Sequence, residues 1–153
     1  MKKVLCLLIL MNSIHLNGFS ATVNLDVAKQ VALFFANHIS AVRIEKVELA
    51  HKAESTNHVP VFFIFNLNAN DGYIIISAED VATPVMGYSL KGRFTSIDMP
   101  INLQKWLTEY KEQIFYIRDN NLQAPPKIKQ LWQDYYQGIF SVKDQISSVL
   151  PLM

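Results

Sequence analysis

Cysteine is nearly absent: the chain of 153 residues carries one, Cys6. It lies in a leading segment where Lys2-Lys3 precede an apolar run from Val4 to Met11, with the small residues Gly18 and Ser20 beyond. That order of basic, apolar and small residues reads as a secretory signal peptide over residues 1–20, cleaved after Ser20 or after Ala21. The run is too short to span a bilayer, and Cys6 stands too early to be the lipid-modified start of a mature chain. Residues 21–153 then hold no cysteine, which excludes disulfides, a thiol nucleophile and a thiolate metal site. An excess of charge is missing too. Without Lys2 and Lys3, 12 basic residues face 13 acidic ones, a balance that gives no electrostatic reason to bind nucleic acid or an anionic membrane. Repeats, charge blocks and low-complexity runs are lacking, and glycine is too scarce for a phosphate-cradling loop.

The ingredients of catalysis are equally thin. His38, His51 and His58 show no i, i+4 pairing of the kind a helical metal site uses, and they read as solvated or capping side chains, the last two flanking a polar loop. Glu79-Asp80 is the one acidic pair at a turn, where its carboxylates are expected to accept backbone N–H groups. Ser77 lacks a glycine-flanked elbow. The chain therefore reads as a non-enzyme without a cofactor.

What is present is a clear succession of elements. Asn24 is placed to cap a helix whose apolar positions, Val27, Val31, Phe34 and Phe35 among them, continue to about Asn37-His38. Val42, Ile44, Val47 and Leu49 alternate with charged residues as in a half-buried strand with a bulge at Glu45-Lys46. Val59 to Leu67 is almost continuously apolar, which predicts a central strand covered on both faces. Asn70-Asp71-Gly72 turns it back into Tyr73–Ser77, and Pro84–Leu90 makes a short edge strand. After Met99-Pro100, Leu103, Trp106, Leu107, Tyr110, Ile114 and Ile117 recur at helical spacing. A last helix over about Lys127 to Gly138 carries Trp132, Tyr135 and Tyr136. The fold class expected is α+β, a four-stranded antiparallel meander packed against one N-terminal and two C-terminal helices.

Two blocks of sequence resemble a known family. Gly72–Phe94, GYIIISAEDVATPVMGYSLKGRF, is similar to the pro-domain of the streptopain family of secreted papain-like cysteine proteases, and equally to the free-standing inhibitors built on that pro-domain. Met99–Tyr110, MPINLQKWLTEY, resembles the family's entry into its long helix. One departure is Val81, where many relatives carry a basic residue after the acidic pair.

The resemblance implies a domain over residues 21–140 that packs on a streptopain-like cysteine protease and blocks its cleft. It also implies that Asn102 is directed at the protease's catalytic histidine; on the residues alone, Asn102 could equally N-cap the helix after Pro100. Residues 141–153 resemble the junction where a protease domain would follow, so the chain is expected to act in trans, as a monomer, on a separate protease. Lys91, Arg93, Phe94 and Ile101 are the further contacts expected, with Leu150 and Leu152 of the tail along the cleft. The other readings are an assistant in folding a separate protease, or a secreted ligand-binding module.

Overall fold

The computed structural model describes residues 21–68, 72–97 and 99–141. The leading segment, the turn residues Asn70-Asp71 and the tail with Leu150 and Leu152 lie outside those residues.

Helix α1, Leu25–Ile39, starts where the sequence marks it: the Asn24 side chain accepts the Val27 N–H at 2.9 Å. Its stripe of Ala28, Val31, Ala32, Phe35 and Ala36 is buried. The four strands are β1 (Val47–Glu54), β2 (Pro60–Leu67), β3 (Tyr73–Ser77) and β4 (Val85–Ser89). They form an antiparallel meander in chain order, so β2 and β3 are central and β4 is an edge. Helices α2, Ile101–Asp119, and α3, Pro126–Tyr136, complete the α+β architecture.

The two faces of β2 explain its continuous apolarity. Phe63, Phe65 and Leu67 join α1, Ile74, Ile76, Trp132 and Tyr135 in one core. Phe62 and Ile64 point the other way, into a second core with Ile75, Met86, Phe94, Leu107, Tyr110 and Ile114. The sheet is thus sandwiched, with α1 and α3 on one face and α2 on the other. Each fully buried Phe or Ile contributes roughly 2 kcal/mol relative to exposure.

The first strand is displaced from its expected place. Residues 42–46 are not strand; β1 begins at Val47 and reaches Glu54, and its irregularities fall between Leu49 and His51 and between Ala53 and Glu54 rather than at Glu45-Lys46. The cause is Asn37. Its amide donates to the Ile44 carbonyl at 2.8 Å and accepts the Ile44 N–H at 2.9 Å, satisfying in a loop the groups that a ladder would have used. His51 consequently lies inside β1, not at the edge of a loop.

Gly72, which opens β3, holds φ at +124°, and a Cβ there would stand 2.0 Å from the Ser89 carbonyl oxygen. Only glycine lets β3 start this close to the end of β4.

Candidate functional site

The segment from Leu90 to Asn102 carries most of the residues singled out as contacts, and the sheet positions it through one side chain. Asn66, the lone amide in the apolar run of β2, is 3% exposed. It accepts the Phe94 N–H at 2.8 Å and donates to the Phe94 carbonyl at 3.2 Å. Both backbone groups of Phe94 are so satisfied by a rigid central strand. The Phe94 ring, 5% exposed, packs edge-on against Tyr73 at 5.7 Å. This corrects its expected role: Phe94 is an anchor in the second core and its ring is not offered to a partner.

The neighbours of Phe94 do face outward. Lys91 and Arg93 are exposed, Arg93 reaching Glu48 of β1 at 3.6 Å. Ile97 is 90% exposed and Ile101 79%, a large apolar exposure for two residues four apart. Ser89 closes the turn before them, its hydroxyl accepting the Lys91 N–H at 3.2 Å and donating to the Lys91 carbonyl at 2.8 Å.

Asn102 is exposed on the first turn of α2. It is not the N-cap. Pro100 occupies that position, because its fixed extended backbone leads into the helix and it lacks the N–H that would go unpaired. The Asn102 Oδ1 accepts the Leu103 N–H at 3.0 Å, and its Nδ2 donates to no other described residue. The amide therefore presents a hydrogen-bond donor to solvent from the start of a long helix, beside Ile101. The structure gathers Lys91, Arg93, Ile101 and Asn102 on or beside one segment, and buries Phe94.

Sequence reasoning missed a polar cluster at the other end of α2. Glu79 is 1% exposed and lies against Arg118, whose Nε donates to Glu79 Oε1 at 2.8 Å and whose Nη2 donates to the Pro60 carbonyl at 2.5 Å and also to Glu79. Val81 leaves no cation beside the acidic pair, so the charge that balances Glu79 comes from a helix 39 residues later. Asp80 accepts backbone N–H groups as expected, but the one from Ala21 belongs to a segment 59 residues away.

Next to the pair, the Tyr110 hydroxyl donates to Ser77 Oγ at 2.8 Å, and burial pushes the phenol well above its ordinary range. Ser77 Oγ also accepts the Glu79 N–H at 2.9 Å. The Ser77 hydroxyl is fully buried and engaged by Tyr110 and by the backbone of Glu79. The cavity above this cluster, about 530 Å³, is lined by Thr22, Ser55, Asn57, Phe115, Arg118 and Asn121 among others. Its charged floor is already neutralised by the Glu79–Arg118 pair.

A second groove, about 390 Å³, runs between β1 and α2 along His51, Phe62, Met99, Gln104 and Lys111. Burial first, and then the Lys111 charge, hold the His51 imidazole below its usual pKa. Among the described residues, no three His, Cys, Asp or Glu side chains form a metal-holding group. No helix among them is long and apolar enough to cross a membrane.

A region of the thiol protease/hemagglutinin PrtT of Porphyromonas gingivalis is 29% identical over 85 residues, 56% of this chain; the chain spans about a tenth of that protein's length. No solved structure matches the chain. Residues 20–114, which include α1, all four strands and most of α2, match the Spi protease inhibitor family. With more than half its length in that match, the chain belongs to the Spi protease inhibitor family.

Proposed function

We propose that the protein is an exported inhibitor of a streptopain-type cysteine protease, docking on the catalytic cleft as the pro-domain of such an enzyme does and performing no catalysis itself. The observation that carries this reading is the exposed Asn102 at the head of α2. A papain-like site works because its histidine takes the proton of its cysteine. The Nδ2 of Asn102 is a neutral donor suited to the acceptor nitrogen of a neutral imidazole, and a histidine held there is unavailable to the cysteine.

Around it, Ile97 and Ile101 supply the apolar contact that desolvates the bond, and Lys91 and Arg93 lie at the polar rim. An interface of standard size, about 1,600 Å² in total, accommodates this surface. The residues from Ser147 onward, Leu150 and Leu152 among them, are proposed to lie along the substrate cleft.

The test is a titration of the processed protein into an active streptopain-type protease with a fluorogenic peptide. Stoichiometric loss of activity is expected. Asn102→Ala should weaken inhibition about 30-fold, the loss of one central contact worth about 2 kcal/mol. Deleting residues 147–153 should weaken it further. No inhibition at micromolar protein, with the inhibitor folded and uncleaved, favours the folding-assistant reading, to be tested by refolding the protease in its presence.

A further inference from the structure

We infer that removal of the leading segment after Ser20 creates a cation the fold is built to hold: the α-ammonium of Ala21, paired with the Asp80 carboxylate. The geometry is already set. The Ala21 nitrogen lies 2.9 Å from Asp80 Oδ1, and the Asp80 N–H returns to the Ala21 carbonyl at 3.2 Å. Thr22 bridges Glu79, and the Val23 N–H donates to the Ala78 carbonyl at 2.9 Å. Val23 is buried in the first core, and α1 begins two residues later. The segment 21–23 is thus a short added strand, fixed at one end by the core and at the other by Asp80.

The second observation is that, among the described residues, Lys129 is the one side-chain cation that acts on Asp80, and it does so without a hydrogen bond. No side-chain base pairs with it among the described residues, yet the group is partly buried. That burial pushes its carboxyl above the usual range, with the Glu79 charge adding to the effect, while the Ala21 N–H and the more distant Lys129 oppose it. Hydrolysis of the Ser20–Ala21 bond supplies what is missing. Water adds across the peptide, the C–N bond breaks, the hydroxyl stays on the Ser20 carbonyl carbon and one proton goes to the Ala21 nitrogen. The proton of the new carboxyl then passes to the amine. An amide donor becomes an ammonium at unchanged position, converting a hydrogen bond into a salt bridge.

The pH dependence follows from the charges facing this site, which are Asp80, Glu79 with its Arg118 partner, Lys129, and Asp119 across the cavity beside Thr22. An α-amine in an unfolded chain titrates near 7.7–8.0. The carboxylate raises that value in the folded state, so the stabilisation is fully present below about pH 7.7 and is lost as pH rises through the raised value.

This inference rests on export cleavage and not on protease inhibition; a protein that fails to inhibit leaves it standing. The full chain should be exported from a bacterial host and the first residue of the product read by mass spectrometry. The pKa of its α-amine is then measured by competitive labelling with acetic anhydride. Ala21 should be the first residue, its amine titrating about one unit above the ordinary range, and Asp80→Asn should return it to that range. A product starting at Thr22, or an Ala21 amine titrating ordinarily, overturns the proposal. Should Asp80→Asn fail to fold, the parent protein decides: acetylating the amine should lower the melting temperature at about pH 7 and leave it unchanged at about pH 10.5. Equal effects at both values overturn it.

Discussion

Gly72 and Gly87 are both glycines beside the β3–β4 pairing, yet they have opposite reasons to be there. A Cβ at Gly72 meets the Ser89 carbonyl oxygen at 2.0 Å with φ at +124°, whereas one at Gly87 meets nothing within 4 Å. Backbone cannot step aside as a flexible side chain can. Gly72→Ala is therefore expected to destabilise the fold by on the order of 3 kcal/mol, through strain at a special backbone position. Gly87→Ala should change stability by less than about 1 kcal/mol, since it adds a methyl in open space and restricts the unfolded chain. Urea denaturation of the two variants separates them; similar midpoints would mean that β3 can start elsewhere. The same contrast governs what a sequence discloses at this scale. A positive-φ glycine after Asn-Asp is legible from turn chemistry, but the burial of Phe94 depends on Asn66, a residue in another strand.

Elements are legible when their signals are local. The Asn24 cap, the apolar stripe of α1 and the spacing of Leu107, Tyr110 and Ile114 in α2 all act within a turn or two, and each lies where the pattern puts it. The start of β1 is not local, because the Asn37 amide claims both backbone groups of Ile44 from seven residues away. Less local still is the joint between α2 and the end of β3. Glu79 is buried and Arg118 mostly so, and breaking such a pair by removing one partner costs several kcal/mol, while replacing both by apolar groups costs little. Arg118→Met alone is expected to destabilise the protein by about 3 kcal/mol, the low end of that range because Arg118 keeps some contact with solvent. The double variant Glu79→Leu with Arg118→Met should recover most of the loss. A double-mutant cycle by urea denaturation checks this; purely additive losses would show that the two charges do not depend on each other.

At the scale of the whole molecule, the sandwich has a consequence for function. The central strand β2 faces two cores, and on the α2 side its pattern is broken once, by Asn66. That side chain ties the sheet to a segment 28 residues further on and sets where Lys91, Arg93 and Ile97 emerge beside the head of α2. The order of elements was legible from periodicity. The tie was not, since one buried amide does not announce which backbone it serves. The outward surface thus depends on a residue that is itself buried. Asn66→Leu keeps the volume and leaves the Phe94 N–H and carbonyl without partners, at about 1–3 kcal/mol of stability. If the Leu90–Asn102 segment is the docking surface, the variant should inhibit about tenfold less well, chiefly through faster dissociation, because the contacts remain but are no longer held in place for binding. Stopped-flow dissociation from the protease, with the variant shown to be folded, measures this. A variant that loses stability but dissociates at the parent rate would mean that the protease reads α2 without the preceding loop.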